Sequence, residues 1–189
     1  MAGGEERRSP LLEVHRRLGA RLTEFGGWMM PLQYEGVVAE HRAVRRAAGV
    51  FDVSHLGKLR VRGDGRGLQE AVTADVLTLE PGRASYALVL AEDGGCIDDV
   101  FVYRLAEEEW LVVPNAANVA AVAAALRECG ADPADEWDRW AILAVQGPAS
   151  LELVDRVLPG ADTGSMRLHS WAPLDLLGAP GIVGRTGYT

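Results

Sequence analysis

The sequence predicts an α+β fold, an antiparallel sheet with packed helices, and three observations carry that expectation. Strand-like runs with period-two alternation gather between residues 85 and 113, and helix-like runs with 3.6-residue spacing flank them on both sides. The two kinds of element also fail to alternate in the strand–helix–strand rhythm of a doubly wound sheet. A chain of 189 residues with 48% apolar and 24% charged side chains has the composition of an ordinary globular domain and enough length to bury a sizeable core.

Each element has a local cause. Ser9-Pro10 predicts a helix start, with Ser as N-cap, Pro in the first turn, and Leu11, Leu12, Val14 and Leu18 as the apolar stripe that stops at Gly19. The two glycines and the proline of the 26–31 segment predict an irregular loop, tucked against the protein because Trp28, Met29 and Met30 are large and apolar. A second helix is expected over 37–48, closed by Gly49. Residues 51–55 and 58–62 read as strands, and the Gly-rich 63–67 turn leads into a short helix over 68–72. Strands over 86–90, 97–105 and 110–113, joined by turns at 92–95 and 107–109, form an antiparallel meander. Asn115 is expected to cap an Ala-rich helix over 116–128 that Gly130 stops. The polar 132–138 segment reads as a surface loop, 141–145 as a strand, Pro148 as the opening of another helix, and 181–189 as a strand entering a turn. No repeat, low-complexity tract or linker marks a boundary, so the expectation is one domain over 1–189.

Charge and composition exclude several classes of function. A net charge of −8 would repel nucleic acid and anionic membranes at long range, so neither is an expected partner. Cys96 and Cys129 are too few for a disulfide framework or a four-thiolate zinc site, which points to a reducing compartment. With no secretory-type segment at the start and no apolar run of spanning length, the expected location is cytoplasmic. His15, His41, His55 and His169 show no ligand spacing with one another or with the cysteines, and no metal is expected.

Alternation along the central strand separates the adjacent acids. Asp99 shares a face with Phe101 and Tyr103, whereas Asp98 shares the other with Val100, Val102 and Arg104. A carboxylate beside flat rings suits a nitrogen heterocycle, which the rings stack on and whose N–H groups the carboxylate accepts. From spacing alone the pair also reads as a solvated strand end. Tyr86, on the neighbouring strand, would add a third ring. Ser54-His55 cannot form a nucleophile–base pair, because neighbours in a strand point to opposite faces, so His55 reads as a packing residue.

Six ordered blocks then give a resemblance. They are Phe25-Gly26-Gly27-Trp28-Met29-Met30-Pro31-Leu32, Gly49-Val50-Phe51-Asp52-Val53-Ser54-His55-Leu56-Gly57, Gly94-Gly95-Cys96-Ile97-Asp98-Asp99-Val100, Val113-Pro114-Asn115-Ala116-Ala117-Asn118, Gln146-Gly147-Pro148 and Arg185-Thr186-Gly187-Tyr188-Thr189. In this order they resemble the aminomethyltransferase family of the glycine cleavage system, the T-proteins. The first two blocks favour that family over the folate domains of sarcosine and dimethylglycine dehydrogenases or oxidases and over the iron–sulfur-assembly folate protein.

The resemblance implies the N-terminal portion of a three-domain cloverleaf fold around folate, incomplete at the C-terminus. The family's Gly-Tyr-Thr runs on into Gly-Glu-Asp-Gly, with a folate-anchoring glutamate and a later barrel-like region. It also implies a reaction: the methylene of an aminomethyl group on the lipoyl arm of the H-protein passes to tetrahydrofolate with release of ammonia. Tetrahydrofolate is then a substrate, and the H-protein a partner. Carried over by position, Asp99 is the implied catalytic carboxylate, and Tyr86, Phe101, Tyr103, Asn115 and Tyr188 line the implied folate pocket. Leu56, where the family commonly has Met, belongs to the same set, and Pro114 stands where a polar or small residue is usual. Arg83 and His55 are implied supporting residues only. Two other readings stay open: a non-catalytic folate-binding or interaction module, and a related folate-dependent demethylating enzyme.

Overall fold

A computed structural model describes residues 7–176 and 178–187 of the chain. Helices and antiparallel sheets are mixed along it, as the sequence predicts. In chain order, β1 (Arg7–Arg8), α1 (Leu12–Arg17), β2 (Arg21–Phe25), β3 (Trp28–Gln33), α2 (Val37–Arg46) and β4 (Gly49–Asp52) come first. Next are β5 (Leu59–Arg62), α3 (Arg66–Ala71), β6 (Ala84–Leu90), β7 (Cys96–Ala106), β8 (Glu109–Val113) and α4 (Val119–Glu128). The order closes with β9 (Ala134–Asp135), β10 (Leu143–Gln146), α5 (Ser150–Val157), β11 (Ser170–Leu176) and β12 (Ala179–Arg185). Among the described residues no helix is long and apolar enough to cross a membrane.

The elements fall into two compact units whose segments interleave in sequence. The first holds α1, α2, α5 and β1–β4 with β10; the second holds β5–β9, α3, α4 and the β11–β12 hairpin. No shift in composition marks where the chain passes from one to the other.

In the first unit, the segment expected as a loop is a β-hairpin. Phe25 pairs with Trp28, so Gly26 and Gly27 form a two-residue turn, and both take positive φ (58° and 84°), as the twist of a tight hairpin demands. Pro31 hid the strand, but it lies past the two residues of β3 that pair with β1. The burial expected for the apolar side chains does occur, since Trp28 and Met30 are buried.

A polar cluster joins α1 to β4 in this unit. Ser9 accepts the Leu11 amide through its hydroxyl oxygen at 3.0 Å, near the helix start, and donates its hydroxyl proton to Asp52. His15 Nε2 lies 2.7 Å from the same Asp52 oxygen, and His15 Nδ1 lies 2.7 Å from the Tyr34 hydroxyl. Burial alone would raise the Asp52 carboxyl, but hydrogen bonds from Ser54, Ser9 and His15 outweigh it and hold the group below the usual carboxylate range. A carboxyl lowered on folding stabilises the fold fully above its unfolded value, and that contribution is lost as pH falls through the folded value. Asp52→Asn is therefore expected to lower the melting temperature at pH 7, with the difference from wild type shrinking below about pH 4. Melts across pH 2–7 check this, and a constant difference over the whole range would contradict it.

The second unit contains a five-stranded antiparallel sheet in the order β6-β7-β8-β5-β9. Its core face is built by alternation: Asp98, Val100 and Val102 of β7 are buried on one side. α4 covers this core with Val119, Val122, Ala123 and Leu126, spaced i, i+3, i+4, i+7, and α3 adds Leu68. The 132–138 segment is more than the surface loop expected. Ala134 and Asp135 pair with β5, and the next residue, Glu136, is buried, with Arg60 Nη2 at 2.9 Å and the Trp140 indole N–H at 3.0 Å. A buried carboxylate persists because a guanidinium and an N–H satisfy it, which composition alone does not reveal.

Candidate functional site

The outer face of the β6–β7–β8 meander carries the candidate site. In register, Leu88 faces Asp99, Tyr86 faces Phe101 and Ala84 faces Tyr103, and directly paired residues share a face. The expected split of the acids is therefore observed: Asp98 is 3% exposed on the core side, and Asp99 lies exposed on the outer side with the rings. Phe101 is central among these aromatics, with its centroid 5.2 Å from Tyr103 and 6.4 Å from Tyr86. One edge of this wall is open to solvent, because Tyr86 remains 54% exposed.

Both oxygens of the Asp99 carboxylate are engaged. Tyr86 donates its hydroxyl to Oδ2, and the Asn115 side-chain amide donates to Oδ1 at 3.1 Å. Each oxygen keeps a further lone pair for an incoming N–H, so the group is oriented without being used up. The bond to Asp99 pushes the Tyr86 hydroxyl up to about 12, since ionising it would leave two anions in contact. Burial pushes Tyr103 up to about 12 as well. The ultraviolet titration of Tyr86, taken as wild type minus Tyr86→Phe, is expected to centre near 12, and Asp99→Asn should lower it toward the ordinary tyrosine value. A midpoint that Asp99→Asn leaves unchanged would show that the carboxylate does not hold this hydroxyl.

Asn115 is not the helix cap that the sequence predicts. A 3₁₀ turn over Ala116–Asn118 separates it from α4, and its side chain makes no capping bond. Its Nδ2 instead meets Asp98 Oδ1 at 2.9 Å, Asp99 Oδ1 at 3.1 Å and the Asp99 carbonyl at 3.3 Å. Bonds to one buried and one exposed carboxylate take the place of a cap that α4 does not need, because its four buried apolar residues already fix it. Leu56 is half-buried beside Gly57, whose amide donates to the Pro114 carbonyl at 2.8 Å, so the Leu56 and Asn115 segments adjoin. A Cβ on Gly57 would fall 2.7 Å from Pro114 Cγ and 2.5 Å from Val119 Cγ2, which is why the chain can approach so closely there.

The structure thus brings Asp99, Tyr86, Phe101, Tyr103 and Asn115 together, whereas Leu56 is tied to them only through the backbone bond of its neighbour Gly57 to Pro114. His55 belongs to the first unit, where its ring packs edge-on against Phe25 at 5.4 Å. Arg83 bridges to Ser170 through its backbone, and its Nη1 is buried without a hydrogen-bond partner among the described residues. Tyr188 lies outside the described residues.

Three residues have parts in the site that the sequence reading did not give them. His169 stands edge-on to Phe101 at 5.6 Å, in left-handed backbone (φ 56°) that costs about 1–3 kcal/mol and is retained because its amide bonds Arg185 and its carbonyl accepts the Ala84 amide. Nothing local announces this long-range placement. Asp98 and Asn118 also belong to the site's support, with Asn118 Nδ2 on Asp98 Oδ1 at 2.6 Å. Their signal was the Asn-x-x-Asn spacing after the strand, which places both amides on one side of a tight turn.

Comparison with known proteins agrees with this architecture. A family model described as the GCVT N-terminal domain matches residues 11–189. The aminomethyltransferase of Deinococcus deserti is 44% identical, aligned over 97% of this chain and 53% of its own length. That of Rubrobacter xylanophilus is 46% identical over 100% of this chain and 52% of its own length. The chain spans about half the length of the curated relatives it matches. Among solved structures, the glycine cleavage system aminomethyltransferase T of Bartonella henselae superposes with a TM-score of 0.79 at 32% identity, over 97% of this chain and 51% of that one. A chain of the heterotetrameric sarcosine oxidase of Corynebacterium sp. U-96 superposes at 0.56 with 19% identity, over 96% of this chain and 83% of that one, a likeness of fold alone.

Proposed function

Because this chain belongs to the GCVT N-terminal domain family, we propose that it supplies the folate-facing portion of a glycine cleavage aminomethyltransferase. In this reading the methylene of an aminomethyl group on the lipoyl arm of the H-protein is transferred to tetrahydrofolate. The carbon–sulfur and carbon–nitrogen bonds of the aminomethyl group break, two bonds to folate nitrogens form, and the thiol and ammonia take up the two protons those nitrogens release. No electrons are exchanged with an outside carrier.

One observation carries the reading: a carboxylate oriented at both oxygens stands at the open edge of an aromatic wall. Such a transfer passes through cationic carbon–nitrogen species, and a fixed anion nearby lowers their energy without having to reorganise as charge develops. The residues present suit a pterin. Phe101, Tyr86 and Tyr103 offer ring area, Asp99 accepts N–H bonds, and Asn115 adds a polar edge. Bound there, tetrahydrofolate supplies the accepting nitrogens, while Asp99 orients the pterin and steadies the developing positive charge. The rings exclude water from one side of the reacting carbon.

The test is formation of methylenetetrahydrofolate from the aminomethylated H-protein, comparing the chain with its Asp99→Asn variant. Loss of product in the variant supports the assignment, and equal rates remove Asp99 from the chemistry.

A further inference from the structure

Asp98 is a buried carboxylate that accepts three N–H bonds: the Asn115 backbone amide at 2.8 Å, Asn115 Nδ2 at 2.9 Å and Asn118 Nδ2 at 2.6 Å. The same Asn115 Nδ2 lies within 3.3 Å of two Asp99 oxygens. This geometry decides which way the Asn115 carboxamide faces. Turned over, it would set its oxygen against three acceptor oxygens, one of them on a buried carboxylate that only donors can satisfy. The two N–H bonds of Asn115 are therefore committed to the aspartates. Its Oδ1, an acceptor, meets no donor among the described residues and is the one polar atom of that side chain left for a ligand.

We propose that Asp98 is a positioning residue that sets the polarity of the site: by holding Asn115 Nδ2 it makes Asn115 an acceptor toward the ligand. Beside the Asp99 carboxylate, the site then presents acceptors and selects heterocycles that offer N–H donors. The choice of ligand rests on the folate reading above, whereas the orientation of Asn115 does not. Asp98 itself touches no ligand and acts through Asn115.

Two measurements on the whole chain test this: calorimetric titration with tetrahydrofolate, and the side-chain amide signals of Asn115 in a ¹⁵N–¹H spectrum, assigned by their loss in Asn115→Ala. Asp98→Asn keeps the shape but can accept at only one atom. It is expected to weaken tetrahydrofolate about tenfold and to move the Asn115 amide signals. Asn115→Ala should cost a similar factor, and the double variant little more than either single one, because both remove one interaction. Wild-type affinity in Asp98→Asn, or losses that multiply to about a hundredfold with the Asn115 signals unmoved, would overturn the proposal. Should Asp98→Asn fail to fold, the wild-type spectrum decides: the Asn115 amide protons must exchange with water at least about tenfold more slowly than those of a free asparagine peptide. Peptide-like exchange overturns the orientation. A wild-type chain that binds no tetrahydrofolate removes the folate reading, and the Asn115 signals in Asp98→Asn then decide the positioning alone.

Discussion

Asp99→Asn is expected to lower the rate of methylenetetrahydrofolate formation by about three orders of magnitude while leaving the fold intact. The size follows from charge. A carboxylate about 4 Å from a developing cation in a partly desolvated site is worth about 4 kcal/mol at an effective dielectric constant near 20. Each ~1.4 kcal/mol is a factor of ten in rate. Asparagine keeps the volume and an acceptor oxygen, so Tyr86 retains a partner, but the charge is gone. The effect should fall on kcat more than on KM, because the cation exists only along the reaction path and the rings still bind the pterin. The fold survives because Asp99 points away from the core that Val100 and Val102 build from the opposite face of the same strand. Steady-state kinetics beside a circular dichroism melt separate the two effects: a lost melt would recast Asp99 as structural, and unchanged kcat would remove the electrostatic argument.

Trp110→Ala is expected to have the opposite signature, destabilising the fold by about 3–5 kcal/mol. Trp110 is 1% exposed, its indole N–H reaches the Val76 carbonyl at 3.4 Å, and the Arg104 guanidinium stands 5.2 Å over its ring. Truncation leaves a cavity too deep for neighbouring strands to collapse into, and it strips the cation–π partner from Arg104, whose residue pairs with Trp110 across β7 and β8. Because those two strands also carry Phe101, Tyr103 and the approach to Asn115, ligand affinity should decline in parallel with stability. Urea unfolding checks the magnitude, and a loss below about 1 kcal/mol would mean that this core is less tightly packed than the burial indicates.

The contrast between these two residues marks what the sequence made legible. Period-two alternation through 97–105 placed Asp99 with Phe101 and Tyr103 and placed Asp98 behind them, because a strand has only two faces and the valines had to take the inner one. The same logic found the meander, and an Ala-rich composition stopped by Gly130 found α4. It failed at Trp28–Gln33, where a proline and consecutive large apolar residues masked a hairpin that two glycines close. It failed again at Asn115, since a local capping rule cannot foresee that two aspartates some sixteen residues earlier claim the side chain. His15 with Asp52, Arg60 with Glu136, and His169 with Phe101 are pairs made by topology, and no local pattern encodes them. The chemistry of the site was thus readable where it coincided with strand alternation, and unreadable where it depended on long-range hydrogen bonds.

The measurement that bears most directly on the central claim is amide chemical-shift mapping of the chain during titration with tetrahydrofolate. Saturable shifts are predicted, concentrated at Tyr86, Asp99, Phe101, Tyr103 and Asn115, and in Asp99→Asn they should persist at the three rings, because those rings still bind the pterin. No shifts at all, or shifts confined to residues away from the outer face of β6 and β7, would contradict that claim.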